Sequence, residues 1–112
     1  MFKNIYLASL ALLSILFTPI QAKTPPPSNQ KLYLFSKSGC PYCIKVLNYL
    51  TIQKKTIQIK DIGKEPAALQ ELITKGGKKQ VPCLYHNGVY LYESNDIITW
   101  LGDHLDLLID AS

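Results

Sequence analysis

Between Lys31 and Ile109 the apolar residues change period again and again, and this alternation restricts the fold more than any other property of the 112-residue chain. "KLYLFSK" (Lys31–Lys37) is a continuous apolar and aromatic run, the composition of a buried strand. "SGCPYC" interrupts it, with Gly39 permitting an awkward backbone and Pro41 suited to a first helical position. From Pro41 onward Ile44, Val46, Leu47, Tyr49 and Leu50 form a helical stripe. "TIQIKDI" (Thr56–Ile62) alternates as a second strand, with Ile57, Ile59 and Asp61 on one side. "EPAALQELITKGG" opens with Pro66 and closes on Gly76–Gly77, a helix with a start and a stop. Asn87–Gly88 lies between the β-rich runs "VPCLYH" and "VYLYE", a strong local hairpin signal. Ser94, Asn95 and Asp96 then form a capping cluster ahead of Ile97, Ile98, Leu101 and Leu105 at helical spacing. The predicted order is β-α-β-α-β-β-α, an α/β fold with a four-stranded mixed sheet flanked by three helices. The first half supplies parallel pairing and the hairpin an antiparallel edge.

Hydrophobic residues make up 47% of the chain and charged ones 18%, an apolar balance that the first residues partly explain. A short head carrying Lys3 precedes a run without charge from Ile5 to Ile20, and Ala22 closes it. Residues 1–22 therefore read as a signal peptide, with an uncleaved N-terminal anchor as the alternative. No cysteine lies near the expected cut, which argues against a lipid-modified N-terminus. Residues 23–30, "KTPPPSNQ", are a Pro-rich leader, and residues 31–110 are the folded domain. The expected location is an exported compartment, a bacterial periplasm, or its inner-membrane face if the segment stays as an anchor. All twelve basic residues are lysines. Without guanidinium forks or aromatic–basic interleaving, nucleic acid is not an expected partner. No membrane contact is expected beyond the N-terminal segment, and a monomer is the working expectation.

Cys40, Cys43 and Cys83 are the three cysteines, an odd number for a purely structural disulfide framework. A disulfide between Cys40 and Cys43 would close too short a loop to add much stability. The pair is therefore read as reactive. Cys40 sits at the expected tip of a helix, where unpaired N–H groups and the macrodipole favour a thiolate. The Cys43 N–H can reach back to that sulfur, and Lys37 supplies a cation nearby. Cys40 is then the attacking thiol and Cys43, one turn in, the resolving one. Tyr42 lies at the rim, either lining a groove or merely exposed. Cys40, Cys43, Cys83 and His86 also form C-x2-C…C-x2-H, formally a zinc spacing, but the separation of about 39 residues is long and Pro41 suits a helix tip. No metal is expected, and Cys83 reads as a buried small hydrophobe. Trp100 reads as core, and His86 and His104 as surface or hairpin residues.

"KSGCPYC", followed by "QVPCLYHNGVYLYESNDIITWL", resembles the glutaredoxins and the thioredoxin-fold N-terminal domains of glutathione transferases, across residues 31 to 105. The resemblance implies a thioredoxin-like fold, a cis Val81–Pro82 bond, and glutathione as co-substrate. It implies that Lys37 and Gln80 face the glycine carboxylate of glutathione and that the Val81 backbone, ahead of Pro82, pairs with its cysteinyl backbone. Ser94, Asn95 and Asp96 would hold the γ-glutamyl end, and Tyr42 would line the groove. Glu93–Ser94 departs from the Gly-Gly of many glutaredoxins and is closer to the transferases. Those enzymes carry a second, helical domain, and the chain stops soon after Leu108, so conjugation is not expected.

The leading function is glutathione-dependent thiol–disulfide oxidoreduction, acting on glutathione mixed disulfides or protein disulfides in an exported compartment. The alternatives are a glutathione-independent protein-disulfide oxidant or isomerase, and a non-catalytic module that binds glutathione or a metal. Its partners are accordingly glutathione and proteins bearing thiols or disulfides.

Overall fold

The computed structural model describes residues 31–111. The expectations for residues 1–22 and 23–30 lie outside the described residues. Strand β1 (Leu32–Ser36) leads through a tight turn into helix α1 (Pro41–Ile52). Two short strands follow, β2 (Lys55–Thr56) and β3 (Gln58–Asp61). Helix α2 (Pro66–Glu71) begins with proline, where the missing N–H has no helical partner to lose, and ends in a π-turn, Leu72–Gly76. Gly77 terminates it at φ 93, a left-handed value that glycine adopts without a Cβ penalty. The hairpin β4 (Cys83–His86) and β5 (Val89–Tyr92) precedes helix α3 (Ser94–Asp103). A 3-10 turn, Leu105–Leu107, and strand β6 (Ile109–Asp110) close the chain.

The sheet runs β3-β1-β4-β5. β1 is parallel to β3 and antiparallel to β4, which pairs antiparallel with β5. Asn87 and Gly88, at φ 47 and 92, make the hairpin turn, both central residues having the positive φ that a type I′ turn requires. Residues of β1 alternate between two cores. Leu34 packs on one face with Val46, Leu50, Leu84, Ile97 and Leu101, beneath α1 and α3. Tyr33 and Phe35 pack on the other with Ala68, Leu72 and Cys83, beneath α2. Leu34 and Phe35 are fully buried, and each such side chain contributes about 1.5–3 kcal/mol of transfer free energy. This central strand holds both layers, and its C-terminal end delivers the chain to the cysteines.

Three expectations are corrected. The single strand over Thr56–Ile62 is two, because Lys55–Thr56 pairs with β6 while Gln58–Asp61 pairs with β1. The chain changes partners at Ile57, so Ile57 is buried while Ile59, on the edge strand, is 39% exposed. The last helix ends at Asp103, since His104, at φ −133 and ψ 36, leaves the helical region. The Ser94–Asn95–Asp96 cluster does not cap α3, whose N-cap is Glu93, without a side-chain hydrogen bond. No helix among the described residues is long and apolar enough to cross a membrane.

Candidate active site

The site begins at the turn after β1. Gly39, at φ 81, lets the chain reverse so that the Cys40 N–H donates to the Lys37 carbonyl at 3.2 Å. Ser38 Oγ donates to Asp61 Oδ2 at 3.4 Å, tying the turn to the end of β3. Cys40 is the N-cap of α1, extended at φ −82 and ψ 117, and its sulfur accepts the Cys43 N–H at 3.2 Å. Pro41 follows as the first helical residue, so the chain commits to the helix immediately after that sulfur. The first turn of α1 carries no acidic residue that would oppose negative charge there. Cys40 is partly exposed, Tyr42 is 64% exposed, and Cys43 is 0% exposed. Burial pushes the Cys43 thiol up to about 11, and its hydrogen bond with Cys40 adds to the effect. The two thiols thus differ in access to solvent.

Across from α1, the Val81–Pro82 peptide is cis and the Cys40 thiol donates to the Val81 carbonyl at 3.8 Å. Beside it opens a cleft of about 600 Å³, walled by Tyr42 of α1, the segment Gln80–Pro82 and the start of α3. Of the sequence-predicted residues, Tyr42, Gln80, Val81, Pro82, Ser94, Asn95 and Asp96 line this cleft. Lys37 does not; its side chain runs past Gly63, close to where a Cβ on that glycine would lie, and it joins the site through its carbonyl. Lys45 and Glu93 also line the cleft, though sequence reasoning left them out. Lys45 was findable, because it follows Tyr42 by three residues and so shares its helix face. Glu93 sits at φ 73, where few side chains other than glycine settle, and accepts from Gln80 Nε2 at 3.2 Å.

The remaining cysteine lies elsewhere. Cys83 is wholly buried in the α2-side core, and that burial pushes its thiol up to about 11. His86, three residues along β4, faces the opposite side of the sheet and packs on Trp100. Trp100 also stacks on His104 at 3.9 Å, so both histidines sit against an aromatic ring of α3. Among the described residues no group of three or more His, Cys, Asp or Glu side chains is placed to hold a metal ion.

An oxidisable pair at a helix tip beside a cleft is a redox arrangement, and comparison with known proteins supplies its family. The glutaredoxin family model matches residues 32–91, from β1 into β5. The chain belongs to the glutaredoxin family. It is accordingly a thiol–disulfide oxidoreductase with a thioredoxin-like fold. Among solved structures, the thioredoxin-like protein BC3987 aligns with a TM-score of 0.55 at 19% identity, over 63% of this chain and 99% of that one. A buckwheat glutaredoxin–glutathione complex aligns at 0.52 and 21% identity, over 70% and 73% of the two chains. Wheat glutaredoxin aligns at 0.51 and 25% identity, over 64% and 70%. No curated protein matches this glutaredoxin.

Proposed function

We propose that this glutaredoxin reduces glutathione mixed disulfides and protein disulfides, using glutathione as its co-substrate. One observation carries the reading. A partly exposed sulfur, held by a backbone N–H at a helix tip, lies beside a cleft of about 600 Å³, with a second thiol buried behind it. The Cys40 thiolate attacks the glutathionyl sulfur of a mixed disulfide; a Cys40–glutathione disulfide forms and the substrate leaves as a thiolate that takes up a proton. A second glutathione thiolate then attacks the bound glutathionyl sulfur, giving glutathione disulfide and regenerating Cys40. With a protein disulfide, Cys40 forms the mixed disulfide and Cys43 attacks the Cys40 sulfur. The substrate leaves as a dithiol, and two glutathiones reduce the Cys40–Cys43 bond in turn. In the cleft, Gln80 and the Val81 backbone address the glycine and cysteinyl parts of glutathione. Ser94, Asn95 and Asp96 address its γ-glutamyl part.

A glutathione-coupled reduction assay tests this. C40S is expected to abolish turnover on both substrate classes. C43S is expected to retain part of the deglutathionylation and to lose dithiol reduction of protein disulfides. Equal losses in the two variants contradict the division of labour. A reduction potential near about −200 to −230 mV supports a glutathione-linked enzyme, whereas a value near about −120 mV favours a protein oxidant. The exported location rests on the basic head, apolar run and Ala22 of residues 1–22. Cell fractionation with mass determination of the mature N-terminus checks it, and retention in the cytoplasm contradicts it.

A further inference from the structure

The walls of the cleft carry unequal charge. Glu93 and Asp96 are acidic, and Lys45 is the sole cation among the described residues that line it. Lys45 projects from α1 one turn after Tyr42 and bridges to α3, where its ammonium donates to Asn95 Oδ1 at 2.5 Å. That partner is a neutral amide. A carboxylate presented at the same place would add ion–ion attraction to a bond in which only the donor is now charged. Lys45 is exposed, so the exchange requires no prior burial of the ammonium. The other side-chain donors on these walls, Tyr42, Gln80, Ser94 and Asn95, are neutral, and Gln80 already gives one amide hydrogen to Glu93. Asp96 stands next to Asn95 in the opening turn of α3 and lines the same cleft. A cation and an anion flanking one residue match a ligand that carries a carboxylate and an ammonium on one carbon.

We infer that Lys45 is a specificity-determining residue of this cleft. It exchanges Asn95 for the α-carboxylate of a thiol ligand whose ammonium is taken by Asp96. The favoured ligands are thus thiols ending in a free α-amino-acid group, and thiols without that group lose the contact. This inference rests on the glutathione reading above and names the residue that makes the cleft selective for it.

The test follows single-turnover release of a reporter peptide thiol by the reduced full chain, against substrate concentration. Three adducts of the same peptide are compared: with glutathione, with cysteinylglycine, which lacks the γ-glutamyl group, and with 2-mercaptoethanol, which lacks every charge. K45Q is expected to lower the preference for the glutathione adduct over each of the others by about three- to fivefold, the upper range for an exposed ion pair. The loss should fall mainly on the half-saturating concentration. K45R should restore the preference. Because only folded molecules react, the preference is insensitive to any change in the folded fraction. A preference within about twofold of wild type in K45Q overturns the inference on the same arithmetic. So does an equal loss on the glutathione and cysteinylglycine adducts, which would put Lys45 at the glycine carboxylate. A wild-type chain that does not prefer the glutathione adduct at all contradicts the function reading instead.

Discussion

Cys40 and Cys43 stand one helical turn apart, yet their sulfurs meet different surroundings. The first accepts a backbone N–H at the helix tip and is partly open to solvent, whereas the second is covered, its thiol pushed up to about 11 by burial. Cys83 is held at about 11 for the same reason. Iodoacetamide at about pH 7 is therefore expected to label the reduced native chain once, at Cys40, because it is the one cysteine the reagent can reach while Cys43 and Cys83 are buried. Peptide mapping by mass spectrometry checks this, and comparable labelling of Cys43 or Cys83 before denaturation contradicts it. The contrast was legible in the sequence because it depends on local geometry: a proline at the first helical position and a spacing of three. The place of Lys37 was not. Whether its ammonium or its carbonyl serves the turn depends on the φ of Gly39 and on the nearby end of β3. Neither has a local signature.

At the scale of elements, two ion pairs of similar appearance do different work. Lys60–Glu71, at 3.0 Å, joins β3 to α2 with both side chains largely covered, at 24% and 19% exposure. Glu71 also accepts from Tyr33 and, at 3.2 Å, from Tyr90, which pins α2 to the sheet. Burial raises its carboxyl, but the Tyr33 hydroxyl and Lys60 outweigh that and hold it below the usual carboxylate value. E71A leaves two hydroxyls and an ammonium without their acceptor and is expected to cost about 2–4 kcal/mol in urea unfolding. Lys55–Asp110 ties β2 to β6 with Asp110 80% exposed, and D110A should cost less than about 1 kcal/mol. A larger loss from D110A than from E71A contradicts this ranking. The β2–β6 ribbon escaped the sequence because each strand is two residues long and carries no period of its own. The end of α3 escaped because Leu105 and Leu108 stay apolar beyond His104, and only the backbone turn shows that the helix has stopped.

For the whole molecule, weak acids covered wholly or partly by the fold link stability to pH. Cys43 and Cys83 ionise at about 11 in the folded chain and Tyr90 at about 12, against ordinary values of 9.0 for the thiols and 10.0 for the phenol. Between those limits the unfolded chain holds fewer protons than the folded one, so stability falls as pH rises. Under reducing conditions the urea midpoint should be level below about pH 8 and decline above about pH 9. A midpoint that stays level or climbs toward about pH 11 contradicts the raised ionisation of the two buried thiols and of partly buried Tyr90. The overall topology was legible because it follows from where the hydrophobic period changes and from one Asn-Gly turn, both local. The cleft was legible only in part, since it forms where α1 meets α3, some fifty positions apart in the chain.

The arrangement of β1 also fixes where the domain can be held. The Lys31 carbonyl accepts the Asn87 N–H at the hairpin tip, while Cys40 lies beyond the other end of the same strand, about 17 Å of extended chain away. An affinity handle, dye or surface linkage placed ahead of Lys31 therefore meets the body at its pole opposite Cys40. Immobilised in that orientation, the enzyme presents Cys40 and its cleft to incoming disulfides.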